Sequence, residues 1–235
     1  MAESTDGSTA GSTVYVVDDD ASVREAMQDL LSSFGLNVLT FGSAAEYVAS
    51  THLAESACLV LDVQLPDING LDLQRQLTNG QHPPIIFITG HGDIPSSVRA
   101  IKAGAVDFLP KPFTPEQLLT AIHTGLEQHR QSRKSESELA RLRSCYASLT
   151  PREREVLPLV VSGLLNKQAA AELGISEVTL QIHRGQVMRK MHADSLAELV
   201  RMSIKLGVKT STAEGTGDPS GDSGSAERQW IRQMT

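Results

Sequence analysis

The chain has 235 residues and is 40% hydrophobic, so it exceeds one small domain and can bury more than one modest core. Its two cysteines, Cys58 and Cys145, match no metal or redox spacing, no apolar run approaches the roughly 20 residues of a membrane span, and the start lacks the basic and apolar parts of a signal peptide, which together point to a cytoplasmic protein without a membrane partner. The net charge of −7 is uneven, −10 over residues 1–123 against +2 over 124–148 and +2 over 149–208, as suits a metal or phosphate site joined to a nucleic-acid binder.

Residues 1–12 are low-complexity and are expected to be disordered. Residues 13–123 then alternate short β-branched runs with helical patterns. Strands are expected near 14–18, 37–40, 57–62, 84–89 and 106–109, and helices near 21–33, 43–51, 70–78, 94–103 and from 115 onward. Asp20 and Ser43 stand at helix-capping positions, and Thr114 with Pro115 gives a cap and a first-turn proline. Five strands alternating with five helices describe a small doubly wound α/β domain.

Leu118, Leu119, Ile122 and Leu126 form one apolar face, but residues 127–138 contain no apolar side chain. Leu139, Leu142, Tyr146 and Leu149 then restore a stripe at helical spacing. A helix polar on all sides bridges domains or is not stably formed, so 124–148 is expected to be a helical linker, with a short stripe that could pair in a coiled coil. Residues 149–208 predict an all-α domain with helices over 151–162, 166–173, 177–191 and 195–206. Thr150, Pro151 and Glu153 open it with a cap, a first-turn proline and an acid. The tail, 209–235, is Gly/Ser/Asp-rich and expected to be disordered, with Trp230 a lone aromatic in it.

Four of the apolar runs end on groups that handle phosphate. Val14–Val17 leads into Asp18, Asp19 and Asp20; Cys58–Leu61 into Asp62; Ile85–Ile88 into Thr89; and Val106–Pro110 into Lys111. In an open parallel sheet, sites form at the carboxyl ends of the strands, so these groups should converge on one rim. Adjacent carboxylates repel unless a cation neutralises them, and Mg²⁺ suits carboxylate oxygens that must also meet a phosphate. Asp18, Asp19, Asp62 and the backbone carbonyl of Gln64 are the expected ligands. Asp62 is the candidate nucleophile, able to form an aspartyl phosphate, while Lys111 offers a point charge and Thr89 a hydroxyl donor.

These motifs, VVDDD, LVLDVQLPDINGLDL and IFITGHGDIPSSVRAIKAGAVDFLPKPF in that order, resemble the receiver domain of two-component response regulators. The resemblance implies phosphorylation of Asp62 by a sensor histidine kinase and a cis Lys111–Pro112 peptide. It also implies that Thr89 and Phe108 are switch residues, and that a dimer forms on the face of 94–103, 106–109 and the helix from 115. A competing pattern is the hhhhDxDx[TV] motif of haloacid-dehalogenase-type phosphohydrolases, with Asp18 as nucleophile and Asp20 as acid/base. That class needs a further acidic pair after the lysine, and only Glu116 stands between Lys111 and the linker.

The segment from Thr150 to Met191 carries an apolar stripe through tight glycine turns. Ser176 caps a helix bearing Gln181, His183, Arg184, Arg189 and Lys190 on its polar side. A helix-turn-helix sets the start of its second helix into the major groove while flanking groups grip phosphates. TPREREVL, GLLNKQAAAELGIS and VTLQIHRGQVMRKM resemble the DNA-binding domain of the LuxR-type regulators, in the FixJ-like branch and close to StyR-type regulators. The resemblance implies that Gln181, Ile182 and Gly185 face base edges, and that Asn166, Lys167, Thr179, His183 and Arg184 grip the backbone, with Arg189 on the same surface. Val178, Leu180, Val187, Met188 and Met191 are divided between core and periphery, with Met188 expected in the core. Gln181 stands where many relatives are basic, and Gly185 where others carry a side chain. The implied protein is a bacterial transcription regulator, a phosphorylation-dependent dimer whose partners are its kinase, promoter DNA and RNA polymerase.

Overall fold

The computed structural model describes residues 11–50, 56–77, 82–90 and 94–208; residues 1–10 and 209–235, Trp230 among them, and the ends of two expected helices (51 and 78) lie outside them, whereas Ser12, at the end of the stretch expected to be disordered, is buried and its carbonyl accepts the Asn37 N–H at 3.0 Å. The described chain divides into two compact units between Glu138 and Leu139.

The first unit alternates β1 (Thr13–Val17), α1 (Ala21–Ser33), β2 (Asn37–Phe41), α2 (Ala44–Ala49), β3 (Ala57–Asp62), α3 (Gly70–Gln76), β4 (Ile85–Thr89), α4 (Ile94–Lys102) and β5 (Asp107–Pro110), and leads into α5 (Pro115–Ala147). The strands are parallel in the order β2-β1-β3-β4-β5. Both faces are covered, which is why β1, β3 and β4 read as continuous apolar runs. Val14, Val16, Cys58, Val60, Ile86 and Ile88 pack on one face with Met27 and Leu31 of α1 and Leu118, Ile122 and Leu126 of α5. Tyr15, Val17, Leu59, Leu61, Ile85 and Phe87 pack on the other with residues of α2, α3 and α4.

The caps fall where the side chains dictate. Asp20 accepts the Ser22 N–H at 2.8 Å and starts α1. Ser43 caps α2, which also receives Asp67 from the β3–α3 loop onto the Ala45 N–H at 2.8 Å. Those backbone donors hold the Asp67 carboxyl below its ordinary value against the opposing effect of burial. The chain crosses β1 and β3 at the point where the strand order reverses, so Asp18 and Asp62 emerge side by side.

The second unit contains the end of α5 and the helices α6 (Pro151–Val161), α7 (Asn166–Glu172), α8 (Glu177–Met191) and α9 (Leu196–Lys205). Thr150 and Glu153 form a reciprocal capping box at the start of α6. Gly163 and Gly174 take left-handed backbone in the turns after α6 and α7, and His192 does so after α8. The core gathers Leu149, Val156, Leu157, Val160, Leu180, Val187, Met191 and Leu199.

The segment 124–148 is helical as expected, within one continuous helix, but its ends are not free. Leu126 is buried in the first core and Leu142 in the second, with Cys145 and Tyr146 half-buried beside Leu142. From Leu142 onward the apolar stripe is thus taken up by the second unit's own core and needs no coiled-coil partner, whereas Leu139 is half-buried and belongs to neither core.

Candidate functional site

The strand-end groups do converge. Asp18 follows β1 and Asp62 ends β3; both are buried, while Asp19 beside them is exposed. Carboxylate oxygens of Asp18, Asp19 and Asp62 all lie within 4.8 Å of one another. Lys111, just past β5, places its Nζ 2.7 Å from Asp18 Oδ2 and 2.7 Å from Asp62 Oδ2. Partial burial works against the Lys111 ammonium, but the hydrogen bonds it donates to both carboxylates outweigh it and hold its pKa above the ordinary lysine value. The Lys111–Pro112 peptide is cis, and the Lys111 N–H donates to the Thr89 carbonyl at 2.7 Å.

The remaining carboxylate oxygens are also held. Asp62 Oδ1 accepts the Gln64 N–H at 2.9 Å, and Asp18 Oδ1 accepts the Asp20 N–H at 2.9 Å. Thr89 is buried at the end of β4. Phe108 is half-buried in β5, its ring 6.2 Å from that of Phe87. The linear pattern assigns no role to two supporting residues, although Gly70 lies within the LVLDVQLPDINGLDL motif. Arg24, one turn into α1, donates from Nη1 to the carbonyls of Asp18 at 2.7 Å and Asp19 at 3.0 Å. Gly70 opens α3 against the backbone of β3, where a Cβ would stand 2.5 Å from the Asp62 carbonyl oxygen.

The three neighbouring acids therefore separate by role. Asp18 and Asp19 join Asp62, while Asp20 is an exposed helix cap, its carboxyl held low by the Ser22 N–H. An acid/base role for Asp20 has no support in this geometry, and Asp62 occupies the centre that the phosphohydrolase pattern left without a function.

In the second unit, α7, the turn at Gly174 and α8 make a helix-turn-helix. Gln181, Ile182, Gly185 and Arg189 are exposed on α8, and Lys167 is exposed on α7. Thr179 and His183 are half-buried, and the Thr179 hydroxyl lies 2.8 Å from that of the cap, Ser176. Arg184 is half-buried and donates to Asn166 Oδ1 at 2.9 Å, tying the middle of α8 to the start of α7.

Two side chains depart from expectation, and the placement of a third is decided by the packing. Lys190 is drawn off the polar face onto the buried Glu153 carboxylate at 2.7 Å, which lowers the Glu153 pKa. Met188 is only partly buried at the edge of the core. Val178 falls on the peripheral side of the expected division, 67% exposed on the same face as Ile182. The spacing 178, 182, 185 and 189 was visible in the sequence, but an apolar residue at its head reads as core until the packing is seen.

Residues 14–123 match the family described as "Response regulator receiver domain" and residues 147–203 match "Bacterial regulatory proteins, luxR family". Nodulation protein W of Bradyrhizobium diazoefficiens is 51% identical over 89% of this chain and 94% of its own length. Transcriptional regulatory protein FixJ of the same organism is 40% identical over 83% of this chain and 96% of its own. The solved structure of the response regulator StyR, 48% identical, superposes with a TM-score of 0.75 over 83% of this chain and 100% of that one.

Proposed function

The chain belongs to the two-component response regulators whose receiver domain is joined to a LuxR-family DNA-binding domain, and we propose that Asp62 is the carboxylate through which this transcription regulator is switched. The observation that carries this reading is the shared cation. Lys111 binds Asp62 and Asp18 together, so the one carboxylate at the centre of the rim already faces the charge that a transferred phosphoryl group would need.

In the proposed reaction an Asp62 oxygen attacks the phosphorus of a phosphohistidine on a sensor histidine kinase. The O–P bond forms as the P–N bond breaks, and the imidazole leaves. Lys111 then exchanges its contact with the Asp62 carboxylate for a phosphoryl oxygen, and the buried Thr89 hydroxyl turns to donate to another. Phe108 moves into the space that Thr89 vacates, altering the surface of α4, β5 and the start of α5. That surface is the proposed dimer face, and pairing of two chains brings two DNA-binding units to a promoter, where RNA polymerase is engaged in activation. The phosphoacceptor domain is taken as 13–123 and the DNA-binding domain as 149–208, with Lys167, Thr179, Gln181, Ile182, His183, Arg184, Gly185 and Arg189 meeting DNA in the cytoplasm of a bacterium.

The donor set fits a hard divalent cation, since all three close groups are carboxylates. Asp18, Asp19 and Asp62, with the Gln64 carbonyl, would hold Mg²⁺, which when bound supplies positive charge for the phosphoryl oxygens. Arg24 keeps the Asp18–Asp19 backbone in place for that task.

Acetyl phosphate labelling tests the reading. Asp62→Ala should lose the acid-stable, base-labile phosphoryl label completely while keeping its fold, and Mg²⁺ with beryllofluoride should convert the unsubstituted chain to a dimer. A label that persists in D62A would move the nucleophile elsewhere and overturn the assignment.

A further inference from the structure

The exposed residues of α8 form a face of unusual composition. Val178, Gln181, Ile182, Gly185 and Arg189 recur at three- and four-residue spacing, opposite the buried Leu180, Val187 and Met191. Val178 is 67% exposed and Ile182 59%. Gly185 sits mid-helix where a Cβ would meet nothing within 4 Å, so no neighbour inside the chain requires a glycine there. The first two turns of this face bear no cation. Arg184 lies to one side, bonded to Asn166, and Arg189 stands near the far end.

We propose that this face reads A·T base pairs. Val178 and Ile182 each pack on the C5-methyl group of a thymine, and Gln181 between them takes an adenine through N6 and N7. Apolar contact is how proteins recognise the thymine methyl, and Gln is matched bidentately to adenine, whereas guanine is read chiefly by Arg or Lys. The bare Gly185 leaves the helix backbone free to seat close to the groove floor. Val178 is thereby a specificity residue, and the cations at Arg184 and Lys167 supply affinity without base choice. This inference rests on α8 being the DNA-reading helix.

The test uses the full chain activated with Mg²⁺ and beryllofluoride. Duplexes enriched from a random-sequence pool should carry A·T pairs at the positions under the start of α8. In an enriched duplex, each thymine is then replaced singly by deoxyuridine, which removes only the methyl group. Two thymines per half-site should each show about a fourfold loss of affinity, the value of one buried methyl group. Ile182→Ala should abolish the loss at one of them and Val178→Ala at the other, since both side chains are exposed and their truncation leaves the core intact. Uracil tolerated at every thymine, G·C pairs enriched at those positions, or both variants keeping both losses would overturn the proposal while leaving α8 as the DNA-reading helix. If no duplex is enriched at all, the DNA-reading role of α8 fails, and the inference fails with it.

Discussion

Side-chain placement at the rim depends on one residue that has no side chain. Gly70 lets α3 begin against the backbone of Asp62 and Val63, and its N–H donates to the Val63 carbonyl at 2.9 Å. A methyl group there would press on backbone, which cannot swing aside as a flexible side chain would. Gly70→Ala is therefore expected to cost about 1–3 kcal/mol of stability, the usual range for overpacking, and to slow labelling of Asp62 because the strand end must move. Urea unfolding and acetyl phosphate labelling check both effects; normal labelling in a destabilised variant would show that α3, not β3, gives way. The acids and the lysine of the rim were legible in the sequence because each directly follows an apolar strand. Gly70 and Arg24 were not, since their roles are defined by backbone atoms of other elements.

At the level of elements, strands were legible where both faces are covered, and helix starts where a Ser, Thr or Asp supplies the cap. The fate of a stripe was not legible. Leu142 reads the same whether it packs on its own chain or on a second copy, and Lys190 reads as a surface cation until Glu153, far away in sequence, is brought against it. The helix α5 adds a titratable tie of this kind. The Ala57 N–H donates to His129 Nδ1 at 2.9 Å, joining the helix to the start of β3. That acceptor must be unprotonated. Burial and then the positive charge of Arg133 lower the His129 pKa, with His82 adding to and Glu136 opposing the effect. The folded value thus lies below the unfolded one near 6.5, so the folded state binds fewer protons. The stability contributed by the tie is complete above about pH 6.5 and is lost as the pH falls from there through the folded value. His129→Gln should flatten the pH dependence of receiver unfolding between about pH 7.5 and pH 5, followed by urea titration at each pH. An unchanged slope would show that His129 titrates equally in both states.

Across the whole molecule, the two units each own a hydrophobic core and have charges of opposite sign. The chain should accordingly unfold in two transitions, and Mg²⁺ with beryllofluoride should raise the one that carries Asp62, by mass action on the folded rim. Scanning calorimetry with and without the pair of ligands reads this directly, and a first transition that does not move would place the ligands elsewhere. The acidic-to-basic change along the sequence anticipated this division of labour, although the point of division at 138 was set by where Leu142 finds its partners.

The outward face of α8 also bears on how such a regulator acquires new addresses. Its five residues contribute nothing to the second core, which is closed by Leu180, Val187 and Met191 from the other side of the same helix. If the proposed reading of α8 holds, folding and base choice are encoded on opposite sides of one element, and a duplicate of this chain could drift to another set of promoters through a handful of substitutions without losing its stability or its means of activation.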